Sequence, residues 1–220
     1  MKTLKILAVS ALLVAGINAK SFADSSNFAG PYIGVSGSAV GVAMDGKHTD
    51  GDADASVTKG AAGVVSMAVG VEVGYNVPVS DVAFITIAAS YNPVDADFKA
   101  DDAANANDVT VTFGDIMEVS LEPSFSVTSN TAFFVKAAYS EFTADAKGTG
   151  LDASQAFDLT GDTFALGTKT ITANGIYIKS EVGMTTYGGF TLKDVGTDDG
   201  TAVIDDIDIA YGKIMIGKKF

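Results

Sequence analysis

Val65-Ser-Met-Ala-Val-Gly-Val-Glu-Val-Gly-Tyr75 decides how this chain folds. Its odd positions, Val65, Met67, Val69, Val71, Val73 and Tyr75, are large and apolar, while Ser66, Ala68, Gly70, Glu72 and Gly74 between them are small or charged. Successive side chains of a strand point to opposite faces; a helix, with 3.6 residues per turn, would mix the two sets. A two-residue period with one face apolar throughout predicts a strand whose outer side meets lipid and whose inner side, with Glu72, meets a packed polar interior.

The same test places Phe133, Val135, Ala137 and Tyr139 on one face of Thr131 to Tyr139, with Phe134, Lys136 and Ala138 on the other. In Gly175 to Met184, Ile176, Ile178, Val182 and Met184 oppose Tyr177, Lys179, Glu181 and Gly183; in Met117 to Leu121, Met117, Val119 and Leu121 oppose Glu118, Ser120 and Glu122. Further strands are expected over Gly30 to Ala43, Val82 to Tyr91, Thr163 to Thr172 and Ile204 to Phe220, which makes eight.

Between them, long connectors (44–62, 92–108, 140–162, 187–204) alternate with short ones (76–81, 123–130, 173–175). Antiparallel strands that cross one bilayer repeatedly produce this alternation, with elaborate loops on one side and tight turns on the other. The predicted fold is all-β, an eight-stranded antiparallel up-and-down transmembrane barrel. Pro78 and Pro123 fall in expected turns, where a missing backbone donor breaks no ladder. Asn174-Gly175 supplies positive-φ chemistry for the third turn. Tyr75, Tyr91, Tyr139 and Tyr187 lie near strand ends, as an interfacial aromatic girdle requires.

Lys2 and Lys5, the apolar stretch Ile6 to Ile17 and the small residues after it read as an export signal over 1–23, leaving 24–220 as a single barrel domain. Cleavage after Ala23 is preferred, with Ala19 the alternative. The apolar run is short of the ~20 residues that a spanning helix needs. There is no cysteine, so neither disulfides nor thiolate metal sites are available.

The net charge is −13, and removal of Lys2, Lys5 and Lys20 makes it three units more acidic. Nucleic acid, which needs a basic footprint, is excluded as a partner. Aspartate far outnumbers glutamate and gathers in the connectors: Asp45, Asp50, Asp52 and Asp54; Asp95, Asp97, Asp101, Asp102 and Asp108; Asp145, Asp152 and Asp158; Asp194, Asp198 and Asp199. Aspartate is depleted in strands and favoured in turns, so four acidic loops are expected. Four of the five glutamates fall instead on strands.

Gly30-Pro-Tyr-Ile-Gly-Val-Ser-Gly, Gly70-Val-Glu-Val-Gly-Tyr-Asn, Glu122-Pro-Ser-Phe-Ser-Val-Thr-Ser-Asn and the closing Lys213-Ile-Met-Ile-Gly-Lys-Lys-Phe220 together resemble the eight-stranded outer-membrane barrels of the OmpA, OmpX and Opa kind. The resemblance spans the whole chain after the signal. It implies a Gram-negative outer membrane, outer-membrane lipid and lipopolysaccharide as surroundings, a polar occupied interior, and insertion by a barrel assembly machinery that reads the last strand. Ile214, Ile216 and Phe220 match that assembly signal. Lys218 departs from it, at a cost of roughly 0–1 kcal/mol for a lysine that snorkels near the membrane edge.

The inward charges form the nearest thing to a chemical constellation. Glu72, Glu118, Glu122 and Glu181 are expected to face Lys136, Lys169, Lys179 and Lys213 in the lumen, because a charge buried without a partner costs several kcal/mol. A structural ion-pair plug is the simpler role. The alternative is a selectivity or gating function in a small porin-like channel for ions or small solutes, which the narrow interior of eight strands disfavours.

Asp50-Gly-Asp-Ala-Asp-Ala begins like a calcium loop, but Ala55 stands where glycine is required and Ala61 where the closing glutamate belongs. Asp50, Asp52 and Asp54 retain at most loose binding of divalent cations, including bridges to lipopolysaccharide; a solvated acidic loop is the simpler reading. His48 is the sole histidine, and no serine sits in a Gly-x-Ser-x-Gly context, so no catalytic residue and no enzyme are assigned. Gly34-Val-Ser-Gly lies in a strand, where glycine permits close approach of neighbours, and is no phosphate loop. No cofactor is expected. The expected role is that of a monomeric, non-enzymatic surface or structural protein whose loops meet cations, lipopolysaccharide or cell-surface ligands. A soluble β-sandwich would have to expose Val65 to Val73 to water. N-terminal sequencing of the exported protein should read Asp24 as its first residue; Lys20 would select the other cleavage site.

Overall fold

The computed structural model describes residues 24–49, 57–93, 96–102, 107–148, 151, 153–195 and 200–220. Eleven strands follow in order: β1 (Gly30–Thr49), β2 (Val57–Pro78), β3 (Ala83–Asn92), β4 (Ala96–Asp102), β5 (Asn107–Phe113), β6 (Ile116–Ser126), β7 (Thr131–Lys147), β8 (Gln155–Ile171), β9 (Ile176–Tyr187), β10 (Phe190–Val195) and β11 (Gly200–Lys219). Eight of them close a ring, β1-β2-β3-β6-β7-β8-β9-β11, with every pairing antiparallel. The last strand returns to the first, from Tyr32 opposite Lys219 to Thr49 opposite Thr201. Closure removes the sheet edge that a bilayer would otherwise leave unpaired.

The three tight connections, 79–82, 127–130 and 172–175, lie at the end of the barrel where β1 begins and β11 finishes. Gly175, at φ +74°, turns the chain between β8 and β9, its N–H donating to the Thr172 carbonyl at 2.8 Å. One 3-10 turn, Ser25–Phe28, folds in beneath this end. Asn27 donates to the Ser129 carbonyl (2.9 Å), and Asn76 donates to the Phe28 carbonyl (2.9 Å). Phe28 is wholly buried and stacks on Phe84, with centroids 4.9 Å apart; Tyr32 stacks on Tyr177 at 4.5 Å. These rings form an apolar floor.

The opposite end departs from the expected loops. Strands of about 9–11 residues cross the hydrocarbon layer. Yet β1 and β11 run 20 residues, β2 runs 22, and β7 and β8 run 17, all extending past the membrane on the long-connector side. Asp45 therefore lies in β1, Asp97, Asp101 and Asp102 in β4, Asp108 in β5, Asp145 in β7, Asp158 in β8 and Asp194 in β10, rather than in loops. Above the bilayer the outer face of a ribbon meets water, and a short polar side chain there serves cross-strand bonding: Thr143 donates to Asp158 at 3.2 Å and Thr186 to Asp208 at 2.7 Å.

Two further expectations are corrected. Pro78 is the last residue of β2, and Pro123 stands inside β6. The β6–β7 pairing steps from Leu121–Ala137 to Ser124–Phe134, so the missing donor falls where that ladder is interrupted. Tyr75, Tyr91 and Tyr139 face outward, but Tyr187 is buried and accepts from the Ser140 hydroxyl at 2.8 Å. Its parity is that of Lys179 and Glu181, so alternation along β9 places it inside.

Close packing within the ring uses glycine opposite aromatic rings. Gly74 pairs with Tyr32 and Gly161 with Tyr187, and a Cβ at either glycine would lie 2.6 Å from the ring facing it. Gly74→Val should displace the Tyr32 ring and cost ~1–3 kcal/mol, read from guanidinium unfolding of the folded barrel. Unchanged stability would show that the ring moves freely.

Candidate functional site: the charges inside the barrel

Inside and outside are inverted relative to a water-soluble domain. Ile33 and Val35 on β1, Val65, Met67, Val69, Val71 and Val73 on β2, Ile87 on β3, Met117, Val119 and Leu121 on β6, Phe133 on β7, Leu166 on β8, Ile178 and Val182 on β9, and Ile214 and Ile216 on β11 are exposed, so the apolar band encircles the wall. Glu72, Glu122, Lys136, Lys169, Lys179, Glu181 and Lys213 are buried. An apolar surface of this extent is a membrane face. The chain is an eight-stranded outer-membrane-type β-barrel.

Compared with solved structures, the barrel is similar to Ail, the attachment invasion locus protein of Yersinia pestis (11% identity, 81% of this chain and 98% of that one, TM-score 0.38). It is also similar to Neisserial surface protein A (13% identity, 84% and 97%, TM-score 0.40) and to the outer membrane protein OprG from Pseudomonas aeruginosa (13% identity, 90% and 99%, TM-score 0.47). No family model matches the chain, and no curated protein matches it. The assignment of the fold rests on the chain's own closed ring and inverted faces.

The eight residues expected in the lumen stand on β2 (Glu72), β6 (Glu118 and Glu122), β7 (Lys136), β8 (Lys169), β9 (Lys179 and Glu181) and β11 (Lys213). Lys179 is at the centre, with Nζ 2.8 Å from Glu72, 2.5 Å from Glu122 and 3.3 Å from Glu181. Lys213 also spans Glu72 (3.4 Å) and Glu181 (2.9 Å), while Lys136 joins Glu181 (3.1 Å) to Glu118 (2.6 Å). Lys169 closes the far end on Glu122 at 2.8 Å. Four ammonium groups face four carboxylates, so the buried set is neutral.

Neutral partners take up remaining hydrogen-bonding capacity. Tyr32 donates to Glu72 at 2.7 Å and Tyr211 to Glu181 at 3.1 Å. Lys169 donates to Thr86 at 2.5 Å and to Ser124 at 3.0 Å. With Tyr32 from β1 and Thr86 from β3, all eight strands of the ring touch the site. The Phe134 ring lies 4.7 Å from the Lys169 ammonium and 5.2 Å from that of Lys179, placing π-density between two like charges. Sequence reasoning missed these partners, although parity could have found two of them. Tyr32 precedes the outward Ile33, and Tyr211 shares the face of Lys213.

Ile214, Ile216 and Phe220 face outward at the seam of first and last strands. Lys218 is exposed and donates to the Asn174 carbonyl at the tight-turn end. His48 lies in β1 between Thr58 and Ala202, not in a loop. Asp50, Asp52, Asp54 and the expected export signal lie outside the described residues. Among the described residues, no group of three or more His, Cys, Asp or Glu could hold a metal.

Removing Lys179 would leave three carboxylates around an empty centre. Lys179→Met should therefore destabilise the barrel by ~3–5 kcal/mol, measured by guanidinium unfolding, and Glu122→Gln added to it should recover part of the loss. A Lys179→Met barrel of full stability would refute the pairing.

Proposed function

We propose that this chain is a non-enzymatic outer-membrane protein of a Gram-negative bacterium: a plugged, monomeric barrel that anchors acidic extracellular loops. One observation carries the plug. Lys179, fully buried, contacts carboxylates from β2, β6 and β9 at once, so the charges lie across the lumen instead of lining an open passage. A passing ion would have to separate these pairs at the cost of buried, uncompensated charge. Eight strands leave an interior that side chains alone can fill.

The long-connector end supplies the working surface. Its aspartates favour divalent cations, lipopolysaccharide bridged by such cations, or cationic groups on other cell-surface ligands. Insertion would use the barrel assembly machinery, with Ile214, Ile216 and Phe220 of the last strand as its signal. The export signal over 1–23 belongs to the same proposal. Ail, one of the similar barrels, has a crystal structure in complex with the heparin analogue sucrose octasulfate, a polyanion; the acidic loops here favour the opposite charge.

Single-channel recording in a planar bilayer tests the plug. The refolded mature chain and its Glu72→Gln variant should both leave the membrane silent once insertion is verified by protease protection. Steady openings in the parent chain that change with Glu72→Gln would overturn the plug and establish a small channel.

A further inference from the structure

The interior on the long-connector side is built differently from the charged middle. β2 pairs with β1 along its length, from Thr49–Val57 to Gly30–Asn76, but with β3 only from Val71 to Pro78. β3 ends at Asn92, and the β4–β5 hairpin attaches to the other side of the gap, through Thr110–Phe113 on β7. Among the described residues, the edge of β2 from Val57 to Val69 therefore has no strand beside it. Burial changes at the same point. Glu72 and Asn76 are buried between exposed Val71, Val73, Tyr75 and Val77, whereas Gly63 to Met67 are exposed on both faces. Asn92 lies over Gly70 at the lower corner of the gap, where a Cβ on Gly70 would come within 2.1 Å of its Oδ1.

Behind this edge is a cavity of about 540 Å³ that extends through the gap to Val65 and Met67 on the outer wall. Its sides are mostly apolar, with Val40, Val64, Phe113, Phe142 and Ile207 among them beside Ser38 and Thr185, and its floor carries Glu118, Tyr211 and Lys213. Met67 and Val65 are eight and ten residues from Tyr75, within the ~9–11 residues of one hydrocarbon crossing. The mouth thus opens at the loop-side boundary of the lipid layer. Unpaired backbone facing hydrocarbon is not tolerated there unless it lines a cavity or is covered.

We infer that the gap is a lateral portal and the cavity a binding chamber for a single-chain amphiphile that enters from the outer leaflet. The apolar sides receive its alkyl tail. The floor receives its polar head, and that head is uncharged, because Lys213 is already paired with Glu72 and Glu181 and Glu118 with Lys136. The volume is that of a site for one small molecule, within the ~300–1,000 Å³ usual for such pockets. A two-chain phospholipid with its headgroup is a poorer match. The inference requires the barrel to sit in a membrane and is independent of whether the charge plug conducts.

The chain has no tryptophan, so a single introduced one reports unambiguously. Phe142→Trp places it in the chamber, and Leu121→Trp places a reference on the lipid-facing wall. Both variants are refolded into dioleoylphosphatidylcholine vesicles and titrated with 11-bromoundecanol, a quencher. Phe142→Trp should be quenched along a saturating curve, and Leu121→Trp only in proportion to probe partitioned into lipid. Ala68→Phe, which fills the chamber behind the portal, should weaken the saturable phase about tenfold or more; Ser66→Phe replaces it if Ala68→Phe lacks the heat-dependent gel mobility of a folded barrel. Absent or non-saturating quenching of Phe142→Trp, or quenching indifferent to the filling variant, would overturn the chamber. Quenching by vesicles of dibrominated phospholipid without added probe would overturn the single-chain assignment. Cross-linked dimers with no quenching would assign the β2 edge to a second copy and overturn the portal.

Discussion

The ladder between β1 and β11 is the constraint on which the rest of the structure depends. A bilayer core offers no water to unpaired N–H and C=O groups, so a sheet survives there only when its two ends meet. With eight strands the closed ring has room inside for side chains and little else. Closure therefore settles the problem of the edge everywhere but along the upper part of β2, and creates another, since whatever points inward must pack against what comes from the opposite wall.

The interior meets that demand in layers. At the tight-turn end, Phe28, Phe84, Tyr32 and Tyr177 stack into a floor. Above it, four lysines and four glutamates cancel one another, with Glu118 and Lys213 at the upper edge against the cavity. On the long-connector side Phe142 sits edge-on to both Phe113 and Tyr187, at 5.2 and 4.7 Å, and Phe157 contacts Phe190 at 4.7 Å. The aromatic floor and the barrel wall keep Lys169, Lys179 and Glu122 fully buried, which strengthens each of their attractions and raises the cost of losing a partner.

The barrel was legible because alternation along a strand is strict. Val65 to Tyr75 carries it without interruption, and parity there and on three other strands assigns Glu72, Glu118, Glu122, Lys136, Lys179 and Glu181 to the inner face, while the need for charge partners alone brings in Lys169 and Lys213. Parity would also have placed Tyr187 inside, had its position near a strand end not suggested the girdle. What alternation does not carry is length. Aspartate marks exposure to water, and Asp45, Asp145 and Asp158 are exposed on paired strands as fully as they would be on loops. Nor does a period of two reveal which strands lack a neighbour. The free edge of β2 arises because β3 stops at Asn92 while β2 continues, a relation between segments with no mark in either one.

The overshoot of the strands has a mechanical consequence. From Val65 to Val57 on β2, and from Tyr139 to Lys147 on β7, eight residues of ribbon rise beyond the hydrocarbon boundary; at ~3.3 Å per residue and a tilt near 40° this is a height of ~20 Å. The polar headgroup zone on one side of a bilayer is only ~5–8 Å deep. The strand ends at Val57 and Lys147 thus stand well clear of the headgroups, at a stand-off distance built into the sheet itself.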